Sequence, residues 1–127
     1  MSAGSPAVSV VVPLFNEEDN VPILQAELTS ALAGLDYEII FVDDGSRDGT
    51  VHRVAPDPRV RVLQFERNAG QSAAMYSGLH ATRGGVAVLI DGDLQNDPAD
   101  IPKLLAEVER GADLVCGYRA QRKDTVV

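Results

Sequence analysis

The chain has 127 residues, 45% of them hydrophobic, and a formal net charge of −8. This length fits one folded domain with a sizeable core, and the acidic balance argues against non-specific nucleic-acid binding, which needs a basic surface. The single cysteine, Cys116, excludes an intrachain disulfide and a metal site built from several cysteines, and it fits a reducing compartment. No stretch reaches membrane-spanning length and the N-terminus has no signal-peptide pattern, so we expect the chain as given to be soluble.

The apolar residues predict strands that alternate with helices. Short β-branched runs indicate strands at residues 8–13, 37–42, 60–65, 86–90 and 114–116. Apolar residues at helical spacing indicate helices that begin near residues 21, 71 and 101, and a weaker helical stretch follows residue 50. Asp19 or Asn20 is a candidate N-cap for the first helix. A βα unit repeated four times and closed by a strand predicts an α/β fold with a doubly wound, mostly parallel sheet, preceded by a loose lead-in at residues 1–7.

Polar and acidic residues follow each of the first four predicted strands. In doubly wound sheets, ligands bind at the carboxyl ends of the strands, so we expect these groups to converge on one rim. They are Asn16, Glu17 and Glu18 after the first strand, Asp43 and Asp44 after the second, residues 68–70 after the third, and residues 91–93 after the fourth. Acidic turns repeated at one edge favour a metal-dependent site over a set of ordinary turns.

The segment at residues 86–98 ends in two aspartates separated by Gly92. In an extended backbone Asp91, Asp93 and Gln95 would share one face, and three oxygen ligands suit a hard divalent cation. Taken alone, the segment fits equally well a strand followed by a polar turn, with Pro98 opening the next helix.

Several common sites are excluded because their patterns are missing. The sequence has neither a P-loop nor a Gly-x-Gly-x-x-Gly motif after the first strand, so neither a P-loop nucleotidase nor a dinucleotide dehydrogenase is supported. His52 lies in the weak helical stretch, and His80 has no cysteine or carboxylate at ligand spacing. Neither histidine therefore supports a zinc site or a catalytic triad.

Five motifs occur in order at residues 8–18, 41–50, 68–74, 90–98 and 117–119, among them Asn-Ala-Gly-Gln-Ser, Asp-Gly-Asp and Gly-Tyr-Arg. Together they resemble those of the family-2 inverting glycosyltransferases, which have the A-type fold with a Rossmann-like nucleotide-sugar-binding half. The resemblance is strongest to the polyprenyl-phosphate branch, which includes dolichyl-phosphate mannose synthases. It implies that residues 8–127 belong to a catalytic domain, which in this branch continues with acceptor-binding and membrane-associated segments.

The resemblance implies metal-dependent, inverting transfer of a hexose from a UDP- or GDP-linked sugar to a polyprenyl phosphate. Asp91 and Asp93 match the family's Asp-x-Asp motif, so these two residues and Gln95 would bind Mg2+ or Mn2+, with Asp93 also catalytic. The cation would stabilise the charge of the leaving diphosphate. By the same resemblance the donor-binding residues would be Pro13, Leu14, Asn16, Glu17, Asp43, Asp44, Gly70, Asp91 and Gly92. Among these, Asp43 would lie on the base or ribose side, and Gly92 stands where relatives often have alanine.

The resemblance also assigns the acceptor side. Arg119, in Gly-Tyr-Arg, would contact the acceptor or donor phosphate as a catalytic residue, because a guanidinium suits phosphate. Arg122 is a second candidate for the acceptor phosphate, with a solvated basic tail as its alternative. A lipid phosphate is anionic at neutral pH and can attack without a general base.

The resemblance further places the full-length protein at the cytoplasmic face of a membrane, with contact through segments beyond residue 127, and allows a homo-oligomer. Two other functions stay open at this point. One is a family-2 enzyme that acts on a glycan or another soluble acceptor. The other is a non-catalytic, receiver-like module that senses phosphate through clustered aspartates, although such a module needs its acidic pair after the first strand.

Overall fold

A computed structural model describes residues 6–93 and 97–109 of the chain. Strands and helices alternate along this part of the chain as the sequence predicts, except that the weak helical stretch after the second strand is only a three-residue 3-10 helix. In order they are β1 (Val8–Leu14), α1 (Val21–Ala31), β2 (Tyr37–Asp43), β3 (Val60–Gln64), α2 (Gln71–Ala81), β4 (Val86–Leu89) and α3 (Ile101–Glu109). Short 3-10 helices at Val51–Arg53 and Pro98–Asp100 lie before β3 and α3. The predicted strand at residues 114–116 lies outside the described residues.

The four strands form one parallel sheet in the order β3-β2-β1-β4. Val8 pairs with Tyr37 on one side and with Val86 on the other, and Ile39 of β2 pairs with Val60 of β3. The third strand therefore lies at an edge of the sheet. Backbone pairing begins one residue before the predicted start of the fold, because the Ala7 N–H donates to the Asp36 carbonyl at 2.8 Å.

Apolar side chains cover both faces of the sheet, which confirms the doubly wound α/β prediction. On one face, the buried residues of α1 and Ile101 of α3 pack with Val10, Val12 and Phe41. On the other face, Ala74 of α2 packs against Val11, Ile40 and Val42. β1 and β2 are buried along their whole length, because helices lie on both of their faces.

Helix α2 lies against the sheet at a position that only glycine fits. A Cβ on Gly78 would lie 2.3 Å from Val11 Cγ1 and 3.0 Å from Val42 Cγ2. The absence of a side chain at Gly78 therefore allows α2 to approach the sheet closely. Within the described residues, no helix is both long and apolar enough to cross a membrane.

Two local predictions differ from the structure. Asn20 occupies the N-cap position of α1, but its side chain makes no capping hydrogen bond; its amide Nδ2 instead donates to Glu17 Oε1 at 2.7 Å. β4 ends at Leu89, and a bend covers Gly92 and Asp93. Regular strand geometry therefore does not extend through Asp91 and Asp93, although both residues line the same cleft, and Gln95 lies outside the described residues.

Candidate functional site

An open cleft lies at the carboxyl edge of the sheet, beside the neighbouring strands β1 and β4. This is where the strand order reverses, because the chain moves outward from β1 to β3 and then returns to β4 on the other side of β1. Ligands of doubly wound folds bind at this switch point. The cleft is lined by Pro13, Leu14, Phe15 and Glu17 after or at the end of β1, Asp44 after β2, Gln71 at the start of α2, and Asp91, Gly92 and Asp93 after β4. Six of the residues predicted to bind the nucleotide-sugar donor, together with Asp93, therefore line one cleft.

The loop after β1 is tied to the loop after β2. Asn16 has a positive φ of 54°; its N–H donates to Ser46 Oγ at 2.8 Å, and its Oδ1 accepts the Arg47 N–H at 2.9 Å. The Glu17 N–H donates to Thr50 Oγ1 at 2.9 Å. Asn16, predicted to bind the donor, thus fixes the path of the loop that carries Glu17 into the cleft.

Asp43, at the end of β2, is completely buried. Its Oδ2 accepts the Ser46 N–H at 3.1 Å. Its Oδ1 has no hydrogen-bond partner among the described residues. A buried acceptor without a partner costs free energy that a hydrogen-bond donor on a ligand would recover.

Asp44 is also buried, and its carboxylate holds the turn between β3 and α2. Oδ1 accepts the Ala69 N–H at 2.6 Å, and both oxygens lie within hydrogen-bond distance of the Gly70 N, at 3.2 and 3.0 Å. Asn68 Nδ2 donates to Oδ2 at 2.9 Å. Gly70, with φ of 104°, is the N-cap residue of α2. Asp44 and Gly70, both predicted to bind the donor, thus set the position at which α2 begins.

The two aspartates after β4 lie beside the start of α2 and the end of β1. Gln71 Nε2 donates to Asp91 Oδ1 at 2.9 Å. Gly92 is buried, and a Cβ at this position would lie 2.5 Å from Leu14 Cδ2 and 2.9 Å from the Pro13 carbonyl oxygen. The segment that holds Asp91 and Asp93 is thus packed directly on β1.

The electrostatics of the cleft are acidic. Burial raises the pKa of the Glu17 carboxyl above its ordinary value, although the hydrogen bond from Asn20 opposes the rise. The negative charges of Asp93 and Asp48 raise this pKa further. Carboxylates in the cleft are therefore close enough to destabilise one another's charge, and a cation would relieve this repulsion.

The carboxylates of the cleft suit a hard divalent cation that is bound together with a ligand. No group of three or more histidine, cysteine or acidic side chains is arranged to hold a metal within the described residues. Mg2+ bound with a nucleotide needs only one or two carboxylates, because phosphate oxygens and water supply its other ligands. Asp91 and Asp93 line the cleft and satisfy that requirement by residue type.

Sequence reasoning missed two residues of the cleft, Phe15 and Gln71. Phe15 follows β1 directly and is 43% exposed, so its ring is accessible at the cleft. Gln71 follows Gly70 directly and begins α2, so the helix boundary together with the position of the predicted site could have indicated it. Arg119 and Arg122 lie outside the described residues.

A family model described as glycosyl transferase family 2 matches residues 9–127. An undecaprenyl-phosphate 4-deoxy-4-formamido-L-arabinose transferase from Pseudomonas fluorescens is 42% identical over 94% of this chain and 37% of its own length. A dodecaprenyl-phosphate galacturonate synthase from Rhizobium johnstonii is 42% identical over 92% of this chain and 37% of its length. This chain thus spans little more than a third of either relative.

Among solved structures, glucosyl-3-phosphoglycerate synthase from Mycobacterium tuberculosis, in complex with Mn2+, UDP and glucosyl-3-phosphoglycerate, superposes with a TM-score of 0.68. The two chains are 31% identical, and the match covers 81% of this chain and 39% of the synthase. This similarity agrees with the parallel sheet and the helices on its two faces. Because the family model covers nearly the whole sequence, the chain belongs to glycosyl transferase family 2.

Proposed function

We propose that this chain forms the nucleotide-sugar-binding part of an inverting, metal-dependent glycosyltransferase that transfers a sugar to a polyprenyl phosphate. The observation that carries the proposal is the cleft at the switch point of the sheet, where Glu17, Asp91 and Asp93 meet. Two relatives with 42% identity are named for transfer to polyprenyl phosphates. Their sugars, an arabinose derivative and a galacturonate, extend the expected donor beyond a simple hexose.

The donor would lie across the cleft with its diphosphate beside the aspartates after β4. Asp91 and Asp93 would hold Mg2+ or Mn2+, which neutralises the charge that develops on the leaving diphosphate. The side chain of Asp93 is partly exposed in the cleft, which suits a residue that acts at the reacting end of the donor. Pro13 and Leu14 would form the wall against which the nucleotide rests.

The nucleobase would lie toward the end of β2, where Asp43 Oδ1 has no hydrogen-bond partner among the described residues. An N–H of uracil or guanine is a donor of the kind that this oxygen lacks. Because Asp43 is fully buried, such a contact requires the residues that cover its carboxylate to move.

The sugar would be transferred by direct displacement. The acceptor phosphate oxygen forms a bond to C1 of the sugar while the bond from C1 to the diphosphate breaks on the opposite face. An ionised phosphate is already a nucleophile, and no histidine is among the described residues that line the cleft. Arg119, and Arg122 with it, would neutralise the acceptor or donor phosphate. The acceptor would place the full-length protein at the cytoplasmic face of a membrane.

A soluble acceptor is the second candidate within the same family. It is favoured by the similarity to a synthase whose complex contains glucosyl-3-phosphoglycerate, a small soluble product. The receiver-like alternative has no such support, because the chain belongs to a transferase family. Transfer of labelled sugar by the full-length protein to undecaprenyl phosphate, compared with 3-phosphoglycerate, distinguishes the two acceptors.

Donor binding can be tested by thermal unfolding of this chain with UDP or GDP, each with and without Mn2+. Ligand at 100 times its Kd stabilises a protein by about 2.7 kcal/mol, so metal-dependent binding gives a measurable rise in Tm. We expect Asp93→Ala to abolish the metal-dependent part of that rise. Asp36→Ala, which removes an exposed carboxylate elsewhere, is the matched control and retains it. No metal-dependent stabilisation with either nucleotide would contradict the proposal.

A further inference from the structure

Gln71 and Asp91 are joined across the cleft by a hydrogen bond between side chains. Gln71 Nε2 lies 2.9 Å from Asp91 Oδ1. We propose that Gln71 is a positioning residue that orients the Asp91 carboxylate for a divalent cation bound with the nucleotide. This role rests on the proposed function, because it concerns the same cation and the same nucleotide. Neither the family motifs nor the sequence patterns assign it.

The backbone of Gln71 is fixed independently of Asp91. Gln71 is the first residue of α2, directly after Gly70. The Gly70 N–H is held by the buried Asp44 carboxylate, which also accepts the Ala69 N–H. The start of α2 is therefore anchored to the end of β2, and the Gln71 amide reaches Asp91 from a rigid position. A hydrogen-bond donor whose backbone is already fixed can orient a carboxylate, because the position of the donor does not depend on that carboxylate.

The uncharged amide of Gln71 suits a cleft that is lined by acidic residues. The cleft contains the acidic residues Glu17, Asp44, Asp91 and Asp93. Lysine or arginine at position 71 would also donate to Asp91, but its positive charge would repel the cation that the carboxylates attract. A glutamine amide donates the same hydrogen bond and carries no charge. Gln71 thus orients Asp91 and leaves the negative charge of the cleft intact.

The test compares nucleotide binding with and without the metal. Isothermal titration of this chain with UDP, and with GDP, is carried out in Mn2+ and again in EDTA. The variants are Gln71→Leu, which removes the donor at similar size, and Gln71→Asn, which keeps an amide on a shorter side chain. Gln71→Lys keeps a donor and adds charge. Ser72→Ala, an exposed neighbour on the same helical turn, is the matched control.

We expect Gln71→Leu and Gln71→Asn to weaken binding in Mn2+ about tenfold, because losing a hydrogen-bond partner of a metal ligand has effects of this size. Their affinity in EDTA should stay within about twofold of the unmodified chain, since the role acts through the metal. Gln71→Lys should weaken binding in Mn2+ at least as much. Ser72→Ala should match the unmodified chain in both buffers.

A merely structural role would weaken binding equally in Mn2+ and in EDTA, and that result would overturn the proposal. Gln71→Leu within twofold of the unmodified chain in Mn2+ would also overturn it, while the proposed function would stand. If the unmodified chain shows no metal-dependent affinity for either nucleotide, both proposals fail. In ligand-free protein, the Gln71 side-chain amide signals in a 15N-1H NMR spectrum should shift in Asp91→Asn, and their failure to shift would show that the contact does not exist in solution.

Discussion

Both carboxylate oxygens of Asp44 lie within hydrogen-bond distance of the backbone nitrogen of Gly70, at 3.2 and 3.0 Å. This contact joins the residue that follows β2 to the N-cap residue of α2, although the two residues are 26 positions apart in the sequence. The same carboxylate accepts the Ala69 N–H and the Asn68 amide. A single buried charge therefore organises the turn that presents Gln71 to the cleft.

Replacing Asp44 by asparagine should destabilise the chain and weaken nucleotide binding. The asparagine NH2 group would face backbone N–H donors that now bond to a carboxylate, and at least one of them would lose its partner. We expect a loss of about 2–3 kcal/mol in the free energy of unfolding, measured by urea denaturation. Asp36→Asn, with the same change on an exposed residue, should change it by less than about 0.5 kcal/mol. Equal stabilities of the two variants would contradict this prediction.

The order of strands and helices was predictable because each buried strand is a short β-branched run and each helix has its own apolar spacing. The acidic rim was also predictable, since the carboxyl ends of parallel strands must meet at one edge. These features depend on local pattern and on one rule of topology. The start of the second helix near residue 71 was predictable from its apolar spacing, and the structure begins that helix at Gln71.

The individual contacts of the site could not be predicted in this way. Asp44 bonds to residues 68–70, and Asn16 bonds to Ser46 and Arg47. Such pairs are separated by more than twenty residues, and no periodicity relates them. The bend after Leu89 likewise depends on Gly92 packing against Pro13 and Leu14, which is a tertiary contact that a strand pattern does not encode.

Gly92→Ala should disturb the segment that holds the two aspartates. The added methyl would lie 2.9 Å from the Pro13 carbonyl oxygen, so the backbone must shift. We expect a loss of stability of about 1–2 kcal/mol and weaker Mn2+-dependent nucleotide binding. The matched control is Gly85→Ala, because a Cβ there meets only the Ala7 oxygen at 3.8 Å. If Gly92→Ala binds as tightly as the unmodified chain, the segment adapts to alanine without moving its carboxylates.

Gly78→Ala should destabilise the chain although alanine is the better helix former by about 1 kcal/mol. The new Cβ would lie 2.3 Å from Val11 Cγ1, and forcing extra volume into a packed core costs about 1–3 kcal/mol. Urea denaturation should show a net loss, whereas Ser77→Ala on the same helix should not. The double variant Gly78→Ala, Val11→Ala should lose less stability than the sum of the losses of the two single variants. Full additivity would show that the clash is not the cause.

Ionised Glu38 should stabilise the folded chain, and this contribution should be lost in acid. Burial alone would raise the pKa of Glu38, but hydrogen bonds from Ser9, the Arg83 N–H and Arg61 outweigh burial and hold it below its ordinary value. The unfolded chain therefore binds a proton at Glu38 more readily than the folded chain. The stabilisation is complete above the unfolded value of 4.5 and is lost as the pH falls through the lower folded value.

Glu38→Gln measures this contribution. At neutral pH it should reduce the free energy of unfolding by about 2 kcal/mol, because the 2.9 Å ion pair with Arg61 is lost and buried donors lose a charged acceptor. Below pH 4.5 the difference between the two chains should shrink as Glu38 is protonated. Urea denaturation across this range, with Glu27→Gln as an exposed control, measures both effects. Parallel stability curves at all pH values would be inconsistent with a lowered pKa.

Glu17→Gln should have the opposite effect on stability. The raised pKa of Glu17 means that its ionised form destabilises the folded chain, chiefly through burial. Glutamine removes the charge and can still accept the hydrogen bond from Asn20, so the variant should have a higher Tm at pH 7 in metal-free buffer. Because the unfolded group titrates near 4.5, this advantage should vanish below that pH, where Glu17 is protonated in both states.

The same substitution should weaken nucleotide binding in Mn2+, since the cleft loses a negative charge that attracts the cation. Glu27→Gln removes the same charge from the exposed face of α1 and should alter neither Tm nor affinity. A gain in stability together with a loss of metal-dependent affinity would identify Glu17 as a residue whose charge serves the ligand at the expense of the fold. A Tm that does not rise in Glu17→Gln would show that Glu17 is not destabilised by its surroundings.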